Sequence, residues 1–330
     1  MKHSTVSATT KTNIAFISGA AVMLALFFLS LFVGKYPLVL SKILAGDSMQ
    51  VKVFLTLRLS RAVVGLVGGF ALGIAGFVYQ TIFHNALASP DIIGVSSGAS
   101  AGAAAGILFF QGATMITVCA FGGAIIAVVF ALLLSTLDKS GRKSTVILAG
   151  IAVHSLAQTV LMCFKLVADP EKQLASIEYW IMGSLNGINS HIIGGNIAVC
   201  LVCLVALFVL HRQSILLATE ETEAKMLGVN IFRMRLLLLV FSTITVSCIV
   251  SMTGLISFIG LLAPHSARKI TGNNHLSTMI LGGIVGSCLL LGADILARSV
   301  AATELPVSIF TSILGAPFLI ILIFRGRQKL

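Results

Sequence analysis

Uncharged apolar runs, one after another from Ile14 to Phe324, constrain this chain more than any other feature. The first, Ile14 to Gly34, contains no Asp, Glu, Lys or Arg. About 20 apolar residues suffice to cross a bilayer as a helix. In hydrocarbon every backbone N–H and C=O must be satisfied within the segment, so helices are the expected form. Breaking the runs at charges and turn residues places spans at 14–34, 61–83, 92–110, 113–136, 144–165, 189–210, 234–253, 256–270, 276–297 and 306–324. The expected class is all-α: a polytopic membrane bundle of about ten helices, with 1–330 as a single transmembrane domain. Composition agrees. Charged residues make up 10% of the chain, against about 25% in soluble domains. No sizeable soluble domain fits between the spans.

The net charge is +11. A nucleic-acid binder would gather its bases on one presented patch. Here they stand at the ends of apolar runs, where they set membrane topology, and no nucleic-acid partner is expected. Lys2 and Lys11 precede the first run, which is too long for the roughly 7–15 residue core of a cleavable signal peptide. With both termini in the cytoplasm, 14 Lys and Arg lie inside and 8 outside, so the sum favours that orientation. Helix 1 alone argues the reverse, because five bases follow it closely: Lys35, Lys42, Lys52, Arg58 and Arg61. That external cluster needs a cause of its own.

Small residues recur at helical spacing. Gly65, Gly69 and Gly73 form one stripe, Gly94, Gly98, Gly102 and Gly106 a second, and Gly282 and Gly286 a third. Such stripes let helix backbones approach closely, so they predict tight packing rather than chemistry. The six cysteines lie inside apolar segments, and the Cys200–Cys203 spacing sits in an apolar helix, which reads as packing rather than metal binding. A faint echo links Leu87-Ala88-Ser89-Pro90-Asp91 to Leu262-Ala263-Pro264-His265, suggestive of duplicated halves. Gly141-Arg142-Lys143-Ser144 lacks the Gly-Lys pair of a phosphate-binding loop. The chain is not expected to hydrolyse ATP, and no catalytic, cofactor or metal residue is assigned. No carboxylate is expected at mid-span, since Asp91 and Asp294 fall near span ends. That argues against an ion-coupled secondary transporter, which would carry such a charge. An intramembrane enzyme would need a catalytic pair, and His154 has no carboxylate within a helical turn.

The most informative polar stretch is 211–235, His-Arg-Gln-Ser through Arg-Met-Arg. Thr219 can cap a helix whose first turn carries Glu220, Glu221 and Glu223, acids that complement the positive end of the helix dipole. Gly228 ends it. A short helix over 220–227 on the cytoplasmic face reads as a docking element for a partner, because a simple connector could be shorter.

Several motifs resemble the permease subunits of iron–siderophore, haem and cobalamin ABC importers. They are Arg58-Leu59-Ser60-Arg61, Gln80, Asn85 through Gly94, Ser97-Gly98-Ala99, Leu148-Ala149-Gly150, Trp180 through Leu185, and Glu223-Ala224-x-x-Leu227-Gly228. The last third adds Gly254-Leu255-Ile256 through Pro264-His265, Ala293-Asp294-x-x-Ala297-Arg298, Glu304-Leu305-Pro306 and Leu314-Gly315-Ala316-Pro317. The similarity runs from about residue 50 to the end of the sequence. It implies the fold of a type II ABC importer permease. It also implies a second permease subunit (a copy or a relative), two ATP-binding subunits and an extracytoplasmic substrate-binding protein, in the cytoplasmic membrane of a bacterium. Under the resemblance, Thr219, Glu220, Glu221, Glu223, Ala224, Leu227 and Gly228 belong to the segment that couples to the ATPase. Arg58, Arg61 and Arg298 match positions that pair with acids of the binding protein, and that would explain the external cluster. Asn85 and Leu87 fall at a cytoplasmic gate, although Ala86 stands where relatives often carry proline. His154, Gln158 and Met162, spaced four apart on the fifth helix, form one face that serves either interhelical packing, with a hydrogen bond from Gln158, or, since the family's fifth helix faces the path, its lining. The cargo is left open among iron chelate, haem and cobalamin.

Overall fold

The computed structural model describes residues 2–110, 112–137, 143–188, 190–217, 230–272, 274–301 and 303–326. Helices alone build it, and no strand occurs among these residues. α1 is Lys2–Phe32, followed by short helices α2 (Leu40–Leu44) and α3 (Ser48–Val53). α3 continues through a π-helical stretch, Phe54–Leu59, into α4 (Ser60–Ile82). Next come α5 (Val95–Phe109), α6 (Ala113–Leu137), α7 (Lys143–Val167), α8 (Ala175–Ile181), α9 (Ser190–Val209) and α10 (His211–Leu216). The chain closes with α11 (Ile231–Thr253), α12 (Ile259–Thr271), α13 (Leu276–Ser299) and α14 (Val307–Gly326).

Six helical segments are long and apolar enough to cross a membrane, and Val95–Phe109, Ile193–Val209 and Val307–Ile321 are shorter apolar helices. α12, at 13 residues, completes the expected series of ten in chain order. Three boundaries differ from the sequence reading for identifiable reasons. The second span starts at Ser48 rather than 61, because Lys52, Arg58 and Arg61 are carried inside one continuous helix to Ile82. The third is shortened to begin at Val95, because Gly94 takes a left-handed conformation (φ 89°) after a 3₁₀ turn at Pro90–Ile93. The eighth begins at Ile259, after a break at Gly254–Phe258 whose ends sit at φ 70° and 67°.

α4 forms the centre. It packs on α13, α12 and α11, and its exposed surface is small, whereas α1 and α7 leave most of theirs uncovered. The glycine stripes act as the spacing predicts. A side chain at Gly73 would strike the backbone of Gly282, and one at Gly102 the backbone of Cys119. α4 and α13 therefore meet backbone to backbone, as do α5 and α6. Pro264 sits inside α12 and lacks the N–H that would bond the carbonyl of Gly260. That carbonyl points instead at Gly76 of α4, where only a glycine leaves room. Hydroxyl side chains fill the buried face of α11. Thr245 and Thr253 bond back to the carbonyls of Phe241 and Ile249 at 2.8 and 2.9 Å, and Thr243 meets the Tyr79 hydroxyl of α4 at 2.8 Å. Cys200, Cys203 and Cys248 are buried as free thiols among these helices.

Candidate functional site

Two clusters of polar side chains stand at opposite ends of α4. The first begins with Arg61, the second residue of the helix. Its Nε donates to Asp294 Oδ1 at 2.8 Å and its Nη1 to Glu304 Oε2 at 2.8 Å. Asp294 is fully buried in α13, and its second oxygen lies 2.8 Å from Nη2 of Arg298, one turn further along the same helix. Arg298 also donates to the carbonyls of Ser30 and Val33 at 3.1 and 2.9 Å and to the Ser30 hydroxyl at 2.8 Å. Arg58 joins from the π-helical stretch. It donates to the carbonyls of Val33 and Tyr36, the latter at 3.1 Å. The last carbonyls of any helix lack partners within it. At the end of α1 two guanidinium groups satisfy them, and the positive charge suits the negative end of the helix dipole. Arg58, Arg61 and Arg298 are only 7%, 8% and 3% exposed. Lone charges so placed would be costly, and two carboxylates offset that cost for three arginines.

Sequence reasoning grouped the three arginines but missed what holds them. Asp294 and Glu304 lie 233 and 243 residues from Arg61 along the chain. The one sequence signal was the Asp294–Arg298 spacing of four, which places acid and base on the same helix face.

The second cluster centres on Arg268 in the last turn of α12. Its guanidinium donates to Asn274 Oδ1 at 2.6 Å, to Gln80 Oε1, to the Thr81 hydroxyl at 3.2 Å and to the Phe77 carbonyl at 3.3 Å. It also lies 4.8 Å from the centre of the Phe77 ring. Gln80 in turn donates to the Leu261 carbonyl at 3.1 Å. The arginine thus ties the end of α4 to α12 through neutral acceptors.

Directly after α4 comes the turn that carries Asn85 and Leu87. The Asn85 side chain accepts from the Leu87 N–H at 2.9 Å, and the Asn85 N–H bonds the Gln80 carbonyl at 3.2 Å. A side-chain-to-backbone turn of this kind needs no proline at position 86. Leu87 is 44% exposed. Beyond it the chain turns back into the bundle. A side chain at Gly94 would lie 3.4 Å from the backbone N of His154, near the middle of α7. Asp91, whose carbonyl accepts from the Gly94 N–H at 3.1 Å, is therefore carried toward the middle of the bundle, with Ser96 donating to its carboxylate. The expectation that Asp91 stays at a span end is corrected by this re-entrant segment, which the apolar-run rule does not register.

His154 and Gln158 are half-buried on α7, and Met162 is exposed, beside uncovered Leu148, Ile151, Leu156 and Val160. The segment with Thr219, Glu220, Glu221, Glu223, Ala224, Leu227 and Gly228 lies outside the described residues. No group of three or more His, Cys, Asp or Glu arranged to hold a metal occurs among the described residues.

A bundle of apolar helices with a broken span, a re-entrant turn and its charges confined mainly to helix ends defines the class of multi-pass membrane proteins. Residues 22–325 match the FecCD transport family, and the chain belongs to it. It is 35% identical over 274 residues to a cobalamin import system permease of Halobacterium salinarum, covering 83% of this chain and 73% of that one. It is 33% identical to a molybdate import system permease of Haemophilus influenzae, over 91% and 92% of the two chains. A solved structure described as an inward-facing conformation of an ABC transporter assigned to the metal-chelate type superposes with a TM-score of 0.84 at 29% identity, covering 95% of this chain and 99% of that one. The fold class and the permease class read from the sequence stand. The range of cargoes among relatives is wider than the sequence reading allowed, because it includes an oxyanion.

Proposed function

We propose that this chain is the membrane-spanning subunit of an ATP-driven importer that carries a metal chelate or corrinoid across a bacterial cytoplasmic membrane. The family match across residues 22–325 carries the reading. The chain pairs with a second permease subunit, a copy or a homologue. Two ATP-binding subunits supply the energy and engage the 211–235 segment, and an extracytoplasmic protein delivers the cargo. With both termini cytoplasmic, the Arg61 cluster faces outward and the Arg268 cluster, with Asn85 and Leu87, faces the ATPase. The uncovered apolar face of α7, which carries Met162, is available to the second subunit or to lipid. Alternating access then follows from nucleotide-driven population shift between two states of the assembly.

Arg58, Arg61 and Arg298 serve the delivery protein as a positive surplus at the outer end. Three guanidinium groups stand against two carboxylates, which favours an approaching acid and speeds its encounter. Co-purification of an ATPase subunit and vanadate-sensitive uptake in proteoliposomes are the expected results. The competing reading is an ion-coupled secondary transporter, and the inward position of Asp91 is the observation in its favour. Uptake by the purified chain alone, driven by a proton or sodium gradient without nucleotide, would establish that reading instead.

A further inference from the structure

The two carboxylates at the Arg61 cluster are not equivalent. Asp294 has a fully buried side chain and is held by both Arg61 and Arg298. Glu304 has a side chain 22% exposed, stands on the segment between α13 and α14, and is held by one bond from Arg61 Nη1. Arg61 Nη2 is buried and has no hydrogen-bond partner among the described residues. A recess of about 210 Å³ opens here, bordered by Lys35, Tyr36, Arg58, Arg61, Arg298 and Glu304. A guanidinium engages a carboxylate best through two parallel N–H donors. At Arg61 the Nη1–Nη2 edge carries only the single Glu304 bond, so its capacity for two-point pairing is unused.

We propose that Glu304 is a displaceable internal counter-ion. A carboxylate from a docking protein replaces it on the Nη1–Nη2 edge of Arg61, while Asp294 stays in place as the permanent anchor. The proposal rests on the docking reading given above for the arginines. It differs from that reading in making one of the chain's own acids the competitor of the incoming one. The exchange also has a mechanical consequence. Next to Glu304, the Leu305 N–H bonds the Ala297 carbonyl at 3.0 Å and the Val307 N–H bonds the Gly183 carbonyl at 3.0 Å. The Ser308 hydroxyl bonds the Leu255 carbonyl. Gly183 follows α8, and Leu255 lies in the break before α12. Releasing Glu304 therefore loads the turn after α8 and the break before α12. Trp180, the sole tryptophan of the chain, accepts a hydrogen bond from the Gly183 N–H at its carbonyl and reports on that turn.

The test uses the full chain in detergent micelles at low salt, titrated with a fluorescently labelled hexaglutamate peptide. Wild type binds the peptide, and Trp180 emission shifts on binding. Glu304→Gln, which keeps an oxygen to accept from Arg61, binds about tenfold tighter because the competing charge is gone. Glu304→Asp, whose carboxylate is drawn back by one methylene, also binds tighter than wild type, so the test survives a misfolded Gln variant. Equal or weaker binding by the folded variants, or binding that leaves Trp180 emission unmoved, overturns the displacement. Peptide binding that persists undiminished in Arg58→Gln/Arg61→Gln overturns the docking reading beneath it, as does failure of wild type and both Glu304 variants to bind.

Discussion

At one end of α4, Arg61 shares a buried carboxylate with Arg298. At the other, Arg268 is held by two amides, a hydroxyl, a carbonyl and an aromatic face, with no carboxylate paired to it among the described residues. Both arrangements satisfy a guanidinium inside a helical bundle, but they differ in what happens when a member is lost. Neutral acceptors left behind by Arg268 can turn to water or to each other. A guanidinium left behind by Asp294 is an uncompensated charge. The same asymmetry separates a closed knot from an exchangeable one. Every acceptor of Arg268 is fixed in the fold, whereas the acids of the Arg61 cluster can compete with acids from outside.

The sharpest test of this contrast is Asp294→Ala. Leaving both Arg61 and Arg298 without their buried anion should cost about 3–5 kcal/mol, read as a lowered thermal unfolding midpoint in micelles. Arg268→Met, which keeps the aliphatic packing, should cost less, about 1.5–3 kcal/mol. Equal losses would erase the distinction between the two ends. Gly73→Ala forces α4 and α13 apart at their backbone contact and should cost about 1–3 kcal/mol by the same assay, without altering either cluster. Charge reversal at Arg61 would add a third acid beside Asp294 and Glu304, so Arg58→Gln is the cleaner probe of docking. It should slow association of the delivery protein about tenfold at low salt, with membrane insertion intact, and a salt titration should erase the difference. His154→Ala should change uptake least, about twofold, as for removal of a half-buried side chain on a sparsely covered helix. Complete loss of uptake by a folded His154→Ala protein would instead assign it a specific ligand.

Much of this architecture was legible because a bilayer leaves so few options. Uncharged runs located the cores of α1, α6, α7, α9, α11, α13 and α14, and glycine periodicity anticipated the α4–α13 and α5–α6 seams. Three features escaped for physical reasons. The start of the second span was hidden because Lys52, Arg58 and Arg61 look like a loop until tertiary partners bury two of them. α8 was missed because seven residues carry too little periodicity to register. The inward course of Asp91 depends on Gly94 settling against α7, a contact that local sequence cannot encode. The arginine cluster was found as a set of like charges, and its meaning changed once Asp294 and Glu304 arrived from the far end of the chain.

The seam between α4 and α13 has a consequence for motion. With the Gly73 and Gly282 backbones in direct contact, there is no side-chain cushion along which one helix could slide past the other. The pair therefore behaves as a single stiff lever, with one arm ending at Arg61 and the other near Arg268. Opening and closing that keeps this seam intact would pivot around the lever, with sparsely covered α7 and the break at Gly254–Phe258 as the places to give.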